Sequence, residues 1–227
     1  MNDISSTTTH FGIMRHAETF WNREKRIQGH LDSPLTPEGE KKAAGWGRQL
    51  KSEGWDRVVA SDLGRARATA HLVNRVLGLS LHLDSMLREQ DWGAWSGRRV
   101  EELLHDIPDL AARYANAGWN FQPPAGETRA SVRRRAFAAL CRAAERWPGD
   151  KILVVTHAGT IRCLINGLTG RRFLPSEPPI LWSGYLHCLL HEGEALRVER
   201  LNAVALDAAR PPRPPTEEAD FITMDTG

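Results

Sequence analysis

The sequence predicts an α/β fold, a three-layer αβα sandwich with a mostly parallel central sheet, and three observations carry this. Short apolar runs of strand length alternate with longer stretches whose apolar residues recur every three or four positions, the order that builds a parallel sheet covered on both faces. The chain has 227 residues, 41% of them hydrophobic, enough to bury roughly 70–75% of its unfolded surface around one core. Its three cysteines, Cys141, Cys163 and Cys188, are odd in number, far apart and without a C-x-x-C pair. Neither a disulfide framework nor a zinc ribbon is therefore expected to hold it together.

The first strand is expected at residues 11–14. The first helix opens at Thr36, a capping residue, with Pro37 behind it where a first helical turn tolerates proline, and runs to about Lys51. A strand at 57–60 leads to a second helix from Asp62, whose side chain is expected to cap it. In that helix Leu63, Ala66, Ala70, Val73 and Leu77 fall on one face. A strand at 79–83 follows, then a weaker helical stretch at 99–117 interrupted by Pro108. A stronger helix at 128–147 carries Val132, Ala136, Leu140, Ala144 and Trp147 on one side. The strand at 152–155 precedes a helix that starts near Ala158, buries Ile161, Leu164, Ile165 and Leu168, and stops at Gly170. Strands at 185–191 and 195–201 complete the set, and there is no internal repeat. Residues 1–206 are read as one domain. Residues 207–227, with Pro211, Pro212, Pro214 and Pro215 followed by acidic residues, lack apolar periodicity and are expected to be a disordered tail.

Charge and targeting remove several classes of function. Lys and Arg number 30 against 28 Asp and Glu, a net charge of +2, which offers a polyanion little to grip, so no nucleic-acid partner is expected. Residues 1–10 are polar and lack the basic stretch and apolar run of a secretory signal. No apolar stretch approaches the ~20 residues of a membrane span. The expectation is a cytoplasmic protein with no membrane contact; homodimer assembly is left open. The positive side is 25 Arg to 5 Lys. Arginine suits a bidentate grip on carboxylate or phosphate, although biased codon usage explains the excess equally well.

The chemically dense positions fall at predicted strand ends, where open parallel sheets bind ligands. Arg15 and His16 follow the first strand, Arg65 sits one turn into the helix after the second, Glu89 lies past the third and His157 follows the fourth. Two arginines, two histidines and helix N-termini would form an anion pocket in which His16 could attack phosphorus. Taken singly, each residue has a plainer reading. His10, His30, His71, His82, His105, His187 and His191 read as satisfied polar groups, and Arg133, Arg134 and Arg135 as solvated helix charges. Arg65 and Glu89 could be surface charges as well. The case rests on their conjunction.

Six segments, in order, resemble a known family. Arg15-His16-Ala17-Glu18-Thr19 with Asn22 is similar to the Arg-His-Gly-Glu-Thr-x-x-Asn signature of the histidine phosphatase superfamily, the phosphoglycerate mutase-like family. The stretch Gln28-Gly29-His30-Leu31-Asp32-Ser33-Pro34-Leu35-Thr36 resembles the family's segment after the signature. Ser61-Asp62-Leu63-Gly64-Arg65-Ala66 with Thr69 resembles its second arginine motif, and Leu87-Arg88-Glu89 with Asp91-Trp92-Gly93 and Gly97 the segment holding its acid. Pro124-Ala125-Gly126-Glu127-Thr128 is similar to its Gly-Glu-Ser turn, and Thr156-His157-Ala158-Gly159-Thr160-Ile161-Arg162 to its second histidine motif. The match spans about residues 11–202. Ala17 and Ala158 stand where glycines are common in the family, and Thr128 where serine is.

The resemblance implies a phosphoglycerate mutase-like fold and a phosphohistidine mechanism with no metal and no cofactor. His16 would be the nucleophile. Arg15, Arg65 and His157 would be catalytic through the phosphoryl oxygens they hold, and Asn22, Gln28 and Gly29 would join them in binding a small-molecule phosphate ester. Glu89 would both bind substrate and donate a proton to the leaving oxygen. The arginines favour its carboxylate form, while partial burial and a bound phosphate dianion favour its acid form. Family phosphoglycerate mutases carry a longer insertion with an Arg-Arg-Ser-Tyr-Asp type segment. Here the same interval has Arg113-Tyr114-Ala115-Asn116 and Trp119-Asn120-Phe121, which favours a phosphatase over a mutase. Trp119 and Phe121 are expected either to pack on an organic leaving group or to fill the core beneath the loop. Sugar phosphates, phosphoglycerate, phosphoserine and α-ribazole phosphate all fit as substrates. The secreted phytase-like branch is disfavoured, since Ala17-Glu18-Thr19 lacks its Gly-x-Arg-x-Pro continuation. A zinc deaminase would use His16-Ala17-Glu18 but also needs Pro-Cys-x-x-Cys, which these cysteines cannot supply. An inactive phosphate-binding protein on the same fold is the remaining alternative.

Overall fold

Alternation of buried side chains along the central strands sorts the core onto two sides of one sheet. In the computed structural model, which describes residues 7–206, the strands are β1 (Thr9–Arg15), β2 (Arg57–Ala60), β3 (Ser80–Leu83), β4 (Lys151–Thr156), β5 (Tyr185–Glu192) and β6 (Ala195–Ala205). The tail read as disordered lies outside the described residues. The six strands form one sheet in the order β3-β2-β4-β1-β5-β6. Pairing is parallel from β3 through β2 and β4 to β1, and antiparallel where β5 joins β1 and β6 joins β5. The register sets Met14 beside Val155 and Arg15 beside Thr156, so β1 and β4 end together.

The helices are α1 (Phe20–Arg23), α2 (Pro37–Leu50), α3 (Gly64–Leu77), α4 (Val100–Asp106), α5 (Leu110–Asn116), α6 (Arg129–Arg146) and α7 (Ala158–Leu168). Helices α6 and α7 bury Ala136, Leu140, Ile161 and Ile165 against Phe11, Ile13, Ile152 and Val154 on one face. Helices α2 and α3 bury Ala43, Trp46, Ala66 and Val73 against Met14, Val58, Leu153 and Val155 on the other. Gly12 admits Trp55 to that second face, since a Cβ there would stand 2.1 Å from Cη2 of the indole. Helices α4 and α5 form a third, smaller cluster with Ile27, Trp92, Trp95 and Phe121. Among the described residues no helix is long and apolar enough to cross a membrane.

Thr36 and Thr128 cap α2 and α6 by accepting from the N–H groups of Gly39 and Ser131, and Pro108 divides the 99–117 stretch into α4 and α5. The expected cap of α3 is corrected. Asp62 does not cap it but takes Arg88 in a fork, accepting from Nε at 2.7 Å and from the terminal nitrogen NH2 at 2.5 Å. Two charge-assisted bonds outcompete one bond to a backbone N–H. The carboxylate of Asp32 takes the vacated place, accepting from Gly64 N at 2.6 Å and from Arg65 N at 3.3 Å.

Candidate active site

His16 is the first residue past β1, and its N–H extends the β1–β4 ladder to the carbonyl of Thr156. Its ring Nδ1 lies 2.8 Å from the carbonyl oxygen of Ala17. A carbonyl only accepts, so Nδ1 carries the proton and Nε2 holds the lone pair. Arg65 Nε donates to that lone pair at 3.3 Å. Burial first, then the charges of Arg15 and Arg65, hold the His16 pKa well below its ordinary value, so the ring is a neutral base at pH 7. Arg15, the last residue of β1, contributes to this field at both His16 and His157.

Arg65 is 2% exposed and cannot swing. One terminal nitrogen, NH1, donates to the carbonyl of Leu31 at 2.8 Å and to Asp32 Oδ1 at 3.0 Å; the other, NH2, donates to the carbonyl of Gly29 at 2.8 Å. The loop after α1 thus positions the guanidinium. Gly29 adopts a φ of +52°, and a Cβ there would stand 2.7 Å from Ser96 Oγ, so only glycine permits the turn. Gln28 is buried beside it, with Oε1 making no hydrogen bond. Asn22 Oδ1 accepts from the N–H and the hydroxyl of Thr19, closing the start of α1. Thr69, one turn on from Arg65, accepts from Ala17 N–H at 3.0 Å and ties α3 to the loop after β1.

Glu89 is buried against the N-terminus of α7. Its Oε1 accepts from Gln90 N at 2.8 Å and Thr160 N at 3.1 Å, and its Oε2 from Gly159 N at 3.1 Å. Unpaired N–H groups and the positive end of the helix dipole both favour an acceptor here. The segment carrying Glu89 hangs on Arg135, which donates to the carbonyls of Met86, Arg88 and Glu89 and pairs with Glu127 at 2.8 Å. His30 Nε2 meets the same Glu89 carbonyl at 2.9 Å. His157 follows β4 and is fully buried. Its ring centroid stands 5.2 Å from that of His16, and Nε2 lies 2.8 Å from Ser61 Oγ. Burial, then Arg65 and His16, hold its pKa well below the ordinary value.

His16, Arg65 and His157 are thereby brought into one cluster, with Glu89 held against the N-terminus of the helix that begins right after His157. Of the residues read as solvated helix charge, Arg135 is corrected: three backbone carbonyls and Glu127 surround it. Asp32, Ser61, Thr69 and Thr160 stand inside the matched segments but had no assigned part. Phe121 is core, packed on Tyr114, Trp92 and Trp95. Trp119 is half-buried, donating Nε1–H to the carbonyl of Arg171 at 3.0 Å with its ring edge-on to Phe173. Between them Arg129 is enclosed by aromatic rings, its guanidinium carbon 4.1 Å from the Tyr114 centroid and 4.7 Å from those of Phe121 and Phe173. It donates to the carbonyls of Tyr114 and Gly118. Glu18 is held by Arg23 and Thr36, and among the described residues no group of three or more His, Cys, Asp and Glu side chains could hold a metal ion.

The arrangement offers one imidazole lone pair, several cationic or N–H donors around it, and a carboxylate at a helix N-terminus. That combination suits attack on an anionic, oxygen-rich centre. The profile of the histidine phosphatase superfamily (branch 1) matches residues 11–203. The probable phosphoglycerate mutase GpmB of Salmonella arizonae is 35% identical over 158 residues, covering 70% of this chain and 74% of that protein. Among solved structures, YhfR of Bacillus stearothermophilus superposes with a TM-score of 0.79 at 28% identity, over 87% of this chain and 98% of its own. A putative alpha-ribazole-5'-P phosphatase of Escherichia coli gives a TM-score of 0.73 at 26% identity, over 86% and 96%.

Proposed function

The chain belongs to the histidine phosphatase superfamily, and within it we propose that it is a phosphomonoesterase, hydrolysing a small organic phosphate ester through a phosphohistidine on His16. The observation that carries this reading is the His16 ring: neutral, proton on Nδ1, lone pair on Nε2, with Arg65 3.3 Å away. The same cations that would bind a phosphate keep the nucleophile unprotonated.

In the first step Nε2 attacks phosphorus and the P–O bond to the organic group breaks. The electron pair goes to the leaving oxygen, which takes a proton from Glu89. In the second step Glu89 takes a proton from water as its oxygen attacks phosphorus, the P–N bond breaks, and the lone pair returns to Nε2. Inorganic phosphate and the free alcohol are the products. Arg15, Arg65, His157, Asn22, Gln28 and Gly29 surround the phosphoryl oxygens and offset the charge of the transferring group, the effect that dominates phosphoryl transfer. Arg65 is suited to this because three of its N–H groups are tied to Leu31, Asp32 and Gly29. An arriving phosphoryl group replaces only its contact with His16. No metal ion takes part, and residues 1–206 form the catalytic unit, in a cytoplasmic protein.

A phosphatase is favoured by the likeness to the putative alpha-ribazole-5'-P phosphatase and by the interval 113–121, which lacks the Arg-Arg-Ser-Tyr-Asp type segment. The relative named a probable phosphoglycerate mutase supports a second reading, in which the phosphoryl group returns to the other hydroxyl of the substrate. Acid-quench labelling with a phosphate ester tests both. An acid-labile phosphohistidine, absent in His16→Ala, is expected; its absence together with undetectable turnover would favour an inactive binding protein. Release of phosphate from 3-phosphoglycerate, rather than isomerisation that depends on 2,3-bisphosphoglycerate, would separate phosphatase from mutase.

A further inference from the structure

We infer that Ser61 is a positioning residue that fixes the tautomer of His157, so that the ring presents Nδ1–H to the phosphoryl group. Both side chains are completely buried, and His157 Nε2 lies 2.8 Å from Ser61 Oγ. The pair is held by the sheet. Ser61 follows β2, His157 follows β4, and the N–H of Ser61 donates to the carbonyl of Val155 at 3.0 Å, extending the register that sets Ala60 beside Val155.

A serine hydroxyl has one proton to donate and two lone pairs to receive with. Ser61 Oγ accepts from Leu63 N–H at 3.3 Å, and the acceptor within its reach is His157 Nε2. Donation to Nε2 requires a lone pair on that atom. Because burial and the neighbouring arginines keep the ring neutral, its single proton stands on Nδ1. That atom is buried and has no hydrogen-bond partner. Buried N–H groups are nearly always satisfied, and an orphan 5.2 Å ring to ring from the proposed nucleophile is satisfied when a phosphoryl oxygen arrives. The two imidazoles then have opposite polarity at the centre: His16 offers a lone pair and His157 a donor. Without the hydroxyl, His157 is free to move its proton to Nε2 and turn a lone pair toward the phosphoryl oxygens.

The inference rests on the proposed phosphoryl chemistry for its consequence but not for its main measurement. Nitrogen NMR of the 15N-labelled full chain at neutral pH is expected to show His157 protonated on Nδ1. In Ser61→Ala the ring should shift toward the Nε2–H form, and affinity for orthovanadate and inorganic phosphate should fall by about tenfold or more. Ser61→Thr, which keeps a hydroxyl, should restore both readouts. A His157 protonated on Nε2 in the unmodified chain overturns the inference, as does Ser61→Ala with unchanged tautomer and unchanged vanadate affinity. An Nδ1–H tautomer in a chain that turns over no phosphate ester would leave the inference standing and remove the proposed function instead. If Ser61→Ala does not fold, the unmodified chain and Ser61→Thr still decide the matter.

Discussion

Replacing Gly159 by alanine sets helix preference against the geometry of Glu89. Alanine is favoured over glycine by roughly 0.5–1 kcal/mol in a helix interior, an upper bound for Gly159, the second residue of α7. Here the added Cβ would stand 2.5 Å from Glu89 Oε1 and 3.2 Å from its Cδ. Ordinary contact begins near 3.4 Å, so the carboxylate must withdraw by about 0.9 Å. Glu89 is not free to do so, because the N–H groups of Gly159, Thr160 and Gln90 all hold it. A hydrogen bond to a charged group is worth about 1.5–3 kcal/mol, so losing the two from α7 outweighs the helix term, and Gly159→Ala should lower stability. The catalytic consequence should be larger, since a displacement of ~1 Å costs on the order of 100-fold in rate. The assay is kcat/KM for an alkyl phosphate and for p-nitrophenyl phosphate, with the thermal midpoint alongside. Alkyl phosphate hydrolysis should fall on the order of 100-fold, and nitrophenyl phosphate hydrolysis far less, because nitrophenolate leaves without a proton. Unchanged alkyl hydrolysis, or equal losses on both substrates, would refute the placement of Glu89 as proton donor.

Three further outcomes are expected. Glu89→Gln, which keeps the shape but has no acid proton, should slow alkyl phosphate hydrolysis by roughly 100-fold to 10,000-fold and nitrophenyl phosphate hydrolysis much less; equal losses would remove its acid role. Arg135→Met removes the donor of the Met86 carbonyl, takes one donor from the carbonyls of Arg88 and Glu89, which keep Thr160 Oγ1 and His30 Nε2, and leaves Glu127 without its partner. Urea unfolding should show a loss of about 3–5 kcal/mol, with part retained by Arg135→Lys, and a loss under ~1 kcal/mol would return Arg135 to the solvated charges. Burial depresses the His187 pKa to about 4 from 6.5. Above pH 6.5 both states are neutral there; between 6.5 and about 4 the unfolded chain takes up a proton that the folded chain refuses. Stability should thus fall with pH across that window, by up to about 3 kcal/mol from this residue. His187→Asn, whose carbonyl can still accept from Asn202 N–H as Nδ1 does, should fall less steeply between pH 6.5 and 4, and parallel curves would count against the assignment.

How much was legible follows the range of the interactions. The strands and main helices could be read because their signals are local: a continuous apolar run at 152–155, threonine caps at Thr36 and Thr128, and a break at Pro108. The candidate site could be proposed because its residues lie at strand ends within short recognisable segments. What escaped depends on partners distant in the chain. Asp62 looks like a cap until Arg88, 26 residues on, offers it a fork, and Asp32 becomes the cap only when the loop after α1 folds beside α3. Arg135 stands in a run of three arginines that has no marker for the one facing inward; its value is set by carbonyls 46–49 residues away. Ser61 lies in a segment that matches the family, but its bond to His157 spans 96 residues. The antiparallel edge had a local clue in Gly193, whose φ of +61° serves the tight turn between β5 and β6.

The aromatic enclosure of Arg129 has a consequence for how the smaller layer behaves in different media. Surface pairs such as Arg23 with Glu18 and Arg98 with Asp106 weaken as dissolved ions shorten the reach of their fields, to ~3 Å at molar ionic strength. Arg129 meets ring faces and backbone oxygens, shielded from bulk ions by the groups around it. The layer over Trp92 and Phe121 should accordingly keep its shape in brine that loosens the rim. Any decline of activity there would reflect competition for the proposed phosphate pocket.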